Sequence, residues 1–431
     1  MNALRKTLKN VDLRKRILFT MMILVIYRIG AFIPVPGINQ GVLYGQFDGT
    51  ALGFMDALSG GAMQRFSIFA MSISPYITAS IVVQLLQMDV IPVLSEWSKE
   101  GETGKRKLNQ LTRYMSLGLA FIQAITMAVG FNFMVGGVLL RTLGPAPLWL
   151  YFYIGVVMTA GTAVLLFLAD QITAKGIGNG TSMLIIAGIM SRMPSMFMDI
   201  YDAYLTNLTF TNVVSAVVVL ALMAITIVMV IYLQSATRKL PIQYANRHSS
   251  AQLSGQKDSF IPFKLNSAGV IPVIFASTIT SLPLTVANFF PNAGWADTVI
   301  ALFDSTRFFG LILYVVLIGV FTFFYAFVQV SPEKIAENLK KQNSYIPGIR
   351  PGDDTESYVS KILGRVTFIG AIYLIIIVTL PILLGFIPGL DIPPSVQIGG
   401  TGILIVVGVA LETAKQISNK NQEKEYRGFI K

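Results

Sequence analysis

Apolar positions in this chain gather into long unbroken runs; they do not alternate, nor do they mark one narrow helical stripe. Runs of this length read as helices that cross a bilayer. Ten are predicted, near Ile17–Ile33, Phe66–Met88, Leu111–Gly130, Leu148–Ala169 and Gly180–Phe197, then Asn212–Leu233, Leu265–Phe289, Phe308–Val328, Val366–Phe386 and Val396–Leu411. One stretch, "DALSGGAMQRFSIFAMSISPYITASIVVQLLQM", begins irregularly. Phe66–Met88 is long enough to span, with a kink expected at Pro75. The apolar piece from Leu52 to Met63 is too short, and reads as a re-entrant or interfacial segment broken at Gly60-Gly61.

Two polar connections are long. In Gln234–Lys264 the polar and apolar residues alternate, meet a Ser/Gly-rich tip and end on "SFIPFK", a hairpin-like pattern. In Gln329–Arg365, "SPEKIAENLKK" predicts a short helix capped by Ser331, with Pro332 in its first turn. The glycines and prolines of "IPGIRPG" then break the chain and display Arg350. Long ordered loops tend to carry function, so both are read as a docking surface. "GETGKRK" lacks the spacing and the Ser/Thr of a phosphate-binding loop. "GIGNG" has no strand before it and reads as a tight turn, with Asn179 capping the fifth span.

Composition and charge then set the class and the orientation. Of 431 residues, 54% are hydrophobic and 13% charged, roughly half the charge of a soluble domain. Of the 33 Lys and Arg residues, only Arg65, Arg141, Arg192 and Arg307 belong to the connections on one side. Arg28 lies late in the first span, where it is expected to snorkel to the outer interface. Nearly all the others crowd the opposite connections and both termini, which places both termini in the cytoplasm. The polar start runs straight into the first span with no cleavage-like site, so it reads as an anchor and not a removed leader. The chain has no cysteine and one histidine, His248, in a polar loop. No catalytic or metal-ligating set stands in the spans, and no cofactor is expected. An ion-coupled transporter of a small solute would be expected to carry acidic or His ligands within its spans, and these are charge-poor.

Six segments in this order resemble the SecY family of protein-conducting channels: "YRIGAFIPVPG", "RFSIFAMSISPYITASIVVQLL", "KGIGNGTS", "NSAGVIPVIFAS", "YIPGIRPG" and "GGTGILIVV". The resemblance implies an all-α polytopic membrane protein of ten transmembrane helices in two pseudo-symmetric five-helix halves. After a tail over 1–16, the halves are 17–205 and 206–413, followed by a tail over 414–431. A lateral gate would lie between spans two and three on one side and seven and eight on the other. It also implies a pore ring at Ile77, Ile81, Thr181, Ile185, Ile274 and Ile405. Branched aliphatic side chains there can seal by dewetting. Thr181 departs from that pattern: either the ring is slightly more polar there, or the Thr181 hydroxyl bonds back to its own helix backbone.

The short piece then becomes a plug over about 52–65, carried by Asp56, Ala57, Leu58, Ser59, Gly60, Gly61 and Ala62. Asp56 is expected to be tolerated because a plug that must leave needs little closed-state stability. Arg247 and Arg350 match the family's docking arginines, with Asn246 breaking the usual basic pair, and Arg238 and Lys239 are auxiliary contacts. The implied function is passage of unfolded, signal-bearing polypeptides across the bacterial plasma membrane, with sideways release of transmembrane segments into lipid. Implied partners are SecE, SecG, the SecA motor ATPase, the ribosome, signal peptides and membrane lipid.

Overall fold

The computed structural model describes residues 10–43, 51–88, 90–140, 147–206, 209–244, 259–290, 293–385 and 394–428. Each predicted run overlaps a helix. The first half holds α1 (Val11–Gly30), α2 (Ala51–Ser59), α3 (Ser74–Leu86), α4 (Pro92–Lys99), α5 (Glu102–Met134), α6 (Leu148–Lys175) and α7 (Gly180–Tyr204). The second holds α8 (Phe210–Ser235), α9 (Ile271–Phe289), α10 (Ala296–Phe303), α11 (Phe308–Gln329), α12 (Pro332–Lys341), α13 (Asp353–Leu384) and α14 (Pro394–Gly428). Among the described residues, eight helices are long and apolar enough to cross a membrane. The two exceptions sit at predicted spans one and two. Helix α1 carries Asp12, Arg14, Lys15, Arg16 and Arg28, and α3 has only 13 residues.

Several helices outrun their apolar runs. Helix α5 starts at Glu102 where Leu111 is predicted, α13 at Asp353 where Val366 is predicted, and α1 at Val11 instead of Ile17. Hydropathy registers the stretch that lies in lipid, whereas the hydrogen-bond ladder continues into water wherever polar residues favour helix.

The second predicted span is corrected. Phe66–Ile73 forms buried turns, and helix begins only at Ser74, with Pro75 in its first turn instead of kinking its middle. Positive φ at Phe66 (46°) and Ser72 (50°) interrupts the ladder. The turns keep their backbone groups paired without water. Val35 N–H donates to the Phe66 carbonyl (3.0 Å), and Ile68 N–H donates to that of Ile33 (3.0 Å). This segment lies so close to α6 that a Cβ on Gly161 would sit 2.1 Å from the Ile68 carbonyl oxygen.

The two long polar loops add a small sheet to the helical frame. The expected hairpin is β1 (Thr237–Tyr244) antiparallel to β2 (Ser259–Lys264), with Leu240 opposite Ile261. A two-residue strand from the second loop, β3 (Ser344–Tyr345), pairs with the far end of β1 through Gln243 and Tyr345. Leu240, Phe263, Leu339, Ile346, Val359 and Leu363 form one buried cluster beneath it. The two long loops, α12 and the start of α13 are therefore one packed unit. Helix α12 is capped as the sequence predicts, with Ser331 Oγ accepting from Lys334 N–H (3.4 Å).

Helices of each half pack mainly within that half: α3 on α5, α5 on α6, α9 on α11, α11 on α13, and α8 on α14. The halves meet along two seams, α9 against α3 and α5, and α7 against α14 and α8.

Gly161→Ala is expected to destabilise the protein by about 1–3 kcal/mol through overpacking. Gly319→Ala is the control, since a Cβ there meets nothing within 4 Å, and it should be neutral or stabilising by about 0.5–1 kcal/mol. Thermal unfolding of both variants in detergent checks the pair; equal midpoints would remove the close approach at Gly161.

Candidate functional site

Four helices converge on one apolar cluster. Ile77 and Ile81 are i,i+4 neighbours on α3, Ile185 lies on α7, Ile274 on α9 and Ile405 on α14, and all five belong to a single group of buried side chains. Their exposures run from 0% (Ile405) to 9% (Ile77). They come from both halves and from both seams. Thr181, the sixth residue, lies half-buried at the start of α7. Its hydroxyl donates to Asn179 Oδ1 (2.8 Å), and its N–H donates to the same oxygen (3.1 Å). Of the two alternatives for Thr181, this excludes the bond to helix backbone: in the first turn there is no helical carbonyl four residues earlier, and the cap residue supplies the acceptor instead.

The short helix α2 reaches this cluster through Leu58, which is buried among the same side chains. Leu52, Asp56, Ser59, Gly60, Gly61 and Ala62 are buried as well, and Ala57 is half-buried. After Ser59 the chain reverses through Gly60 (φ +70°) and Gly61 (φ +82°), conformations that favour glycine. Close approach to α7 depends on a further glycine: a Cβ on Gly188 would lie 2.3 Å from the Leu58 carbonyl oxygen. A cavity of about 180 Å³ lies beside α2, lined by Met55, Leu58, Ile77, Ile122, Ile185 and Thr285.

Asp56 is not a loosely tolerated charge. It is fully buried and ion-paired to Arg192 of α7, and its other carboxylate oxygen accepts from the N–H groups of Met63 (3.1 Å) and Gln64 (3.0 Å). A buried carboxylate needs such compensation. Arg28 is corrected too. Its Nη1 donates to the Gly60 carbonyl (2.5 Å), and its guanidinium lies 4.7 Å from the Phe32 ring centre, so it braces the segment and does not simply reach for water. Tyr27 Oη donates to the Ser59 carbonyl (3.1 Å). The sequence reading missed Tyr27, Gly188, Ser191 and Arg192 at this site. Arg192 had a signal: although counted with the connections, it falls within the predicted span Gly180–Phe197, where an arginine is a functional candidate by default.

At the expected gate, α9 packs on α3 and α5. Helix α11 approaches them across a polar pocket of about 300 Å³, lined by Gln84, Gln87, Lys105, Asn109, Tyr325 and Gln329. Arg238, Lys239 and Arg350 are exposed on the loop unit, and Lys239 Nζ lies 4.6 Å from the Phe260 ring centre. Arg350 sits between Gly348 (φ +82°) and Gly352 (φ +110°), and its carbonyl accepts from Thr355 Oγ1 (2.7 Å), which fixes the turn that displays it. Arg247 lies outside the described residues.

The SecY family model matches residues 67–414. The protein translocase subunit SecY of Halalkalibacterium halodurans is 49% identical over 439 residues, covering 99% of this chain and 100% of that protein. The protein of the same name from Bacillus subtilis is 47% identical, covering 99% of each. Among solved structures, a protein conducting channel aligns with a TM-score of 0.67 at 17% identity, covering 95% of this chain and 93% of the other. Sec61 from a canine ribosome-channel complex aligns at 0.65 and 16% identity, with the same coverage. These two alignments speak for the fold, and the full-length relatives near half identity speak for descent: the chain belongs to the SecY family.

Proposed function

We propose that this chain is the pore subunit of a protein translocase, a passive channel that passes unfolded, signal-bearing polypeptides across the bacterial plasma membrane and releases transmembrane segments sideways into lipid. The observation that carries the reading is the convergence of Ile77, Ile81, Ile185, Ile274 and Ile405 from both halves around Leu58 of a helix too short to span. A constriction of branched aliphatics offers no ligand to an ion, so it resists leak by dewetting. Apolar contacts are also non-directional, so the same ring can yield to side chains of any kind. Thr181 adds a more polar edge to it. The segment Asp56–Ala62 acts as the plug that covers the ring. A structural neighbour of this fold is described as a SecY protein whose plug domain stabilises the closed state and maintains a membrane seal.

In this reading the parting seam is the one where α9 meets α3 and α5. Basic residues concentrated on one side put both termini in the cytoplasm. There Arg238, Lys239, Arg247 and Arg350 dock the partners that supply energy, the SecA motor or the translating ribosome. Structural neighbours described as Sec61 and Ssh1 complexes are ribosome-bound, and exposed arginines suit a polyanionic partner. SecE and SecG complete the assembly, and the chain itself performs no covalent chemistry. A solute transporter gains no support, because Asp56, the one fully buried carboxylate among the described residues, is neutralised by the protein's own Arg192 and does not await an ion.

Reconstituted vesicles test the reading. Asn in place of Ile81 or Ile274 should raise ion conductance in planar bilayers several-fold, as a polar group wets the constriction; unchanged conductance removes these residues from the ring. Arg350→Glu should reduce motor- or ribosome-driven export of a signal-bearing precursor by about ten-fold or more, while the protein still inserts into membranes. Wild-type export would exclude the docking role. Purification from membranes should bring down a small SecE-like subunit, whereas a chain recovered only with copies of itself would count against the assembly.

A further inference from the structure

The polar tethers of the Asp56–Ala62 segment are distributed unevenly. Arg192 of α7 pairs with Asp56, Ser191 Oγ of the same helix donates to the Gly60 carbonyl (3.3 Å), and Arg28 and Tyr27 of α1 hold the Gly60 and Ser59 carbonyls. All four residues belong to the first five spans. Toward the second half, Leu58 packs among Ile274 and Ile405, and Thr285 Oγ1 makes a weak polar contact with Met55 Sδ at 3.5 Å. One side of the plug is thus bound by charge and hydrogen bonds, the other by apolar contact.

We propose that Arg192 is a specificity-determining residue of this channel. Its ion pair with Asp56 latches the plug to the fifth span and sets how strong a signal sequence must be before the pore clears. The inference rests on reading Asp56–Ala62 as the plug.

The physics separates opening into two events. Parting from α9 and α14 breaks apolar contacts and one weak bond to the Met55 sulfur, far less than the ion pair and hydrogen bonds to the first half, so the plug remains with the first half when the halves separate. Its departure then requires Asp56 to leave Arg192. Inside the closed site, separating the pair strands a carboxylate in a medium of low polarity, which is strongly unfavourable. Arg192 is 29% exposed while Asp56 is 0% exposed, so a widening cleft brings water first to the arginine and weakens the attraction as the dielectric rises. A signal sequence that wedges the halves apart well enough hydrates the pair, and one that fails to do so leaves the plug in place. Asp56 also organises the plug internally through Met63 and Gln64 N–H. The single acidic group therefore couples the shape of the segment to its attachment.

The test uses the complete translocase in vesicles and two precursors, one with a normal signal and one with a crippled signal. The variants are Arg192→Gln, Asp56→Asn, their double, Arg192→Lys and a deletion of Ala57–Ala62. Arg192→Gln and Asp56→Asn should each raise export of the crippled precursor roughly ten-fold, because each strands or removes one member of a buried pair. The double variant should exceed neither single, since one interaction is lost only once. Arg192→Lys should stay near wild type, and normal-signal export should hold in every point variant as evidence of folding. Should Arg192→Gln not fold, Asp56→Asn decides, because it keeps the oxygen that Met63 and Gln64 use. Wild-type stringency in both single variants, or additive effects in the double, overturns the latch. If the deletion relaxes stringency while the point variants do not, the latch is wrong and the plug stands. If the deletion also changes nothing, the plug reading fails and the latch with it.

Discussion

Backbone groups at membrane depth have no water to turn to, and the irregular segment 60–73 is arranged around that constraint. The residues from Gly60 to Ile73 are neither helix nor strand, yet they lie deep in the protein. They are bearable there because the chain between α1 and α2 pairs with them at Ile33 and Val35, and because Asp56, Arg28 and Tyr27 take up carbonyls and N–H groups that a helix would have satisfied itself. Glycines at 161 and 188 then let neighbouring helices close over the bare backbone. Without this lining the short helix α2 could not sit against the isoleucine cluster at all.

The same constraint explains why one carboxylate is buried in a segment otherwise built to exclude charge. A two-glycine reversal leaves N–H groups pointing inward, and a neutral side chain would answer them less strongly than an ionised one. The negative charge then needs its own partner, and α7 supplies an arginine. Local backbone geometry and a contact 136 residues away in the chain are thus solutions to one problem.

Much of this was legible in the sequence, because lipid makes hydropathy a strong signal: each of the ten apolar runs overlaps a helix, though not over its whole length. The hairpin in the first loop and the caps at Asn179 and Ser331 were equally readable, since alternation and cap residues act locally. What failed were features set by other parts of the chain. Phe66–Ile73 is as apolar as a spanning helix, and only its partners at Ile33 and Val35 make it a turn. The strand Ser344–Tyr345 exists because β1 has a free edge beside it, which no two-residue pattern can announce. Asp56 and Arg192 were both visible as oddities in apolar runs. Their union needed the fold.

The pairing of Gln243 with Tyr345 is small, but it ties the loop leaving α8 to the loop entering α13. Both loops also share the buried cluster around Leu240 and Val359. Mechanically they form a single handle. A load applied to either is divided between two helices of the second half at once, so neither loop can be pulled away without the other.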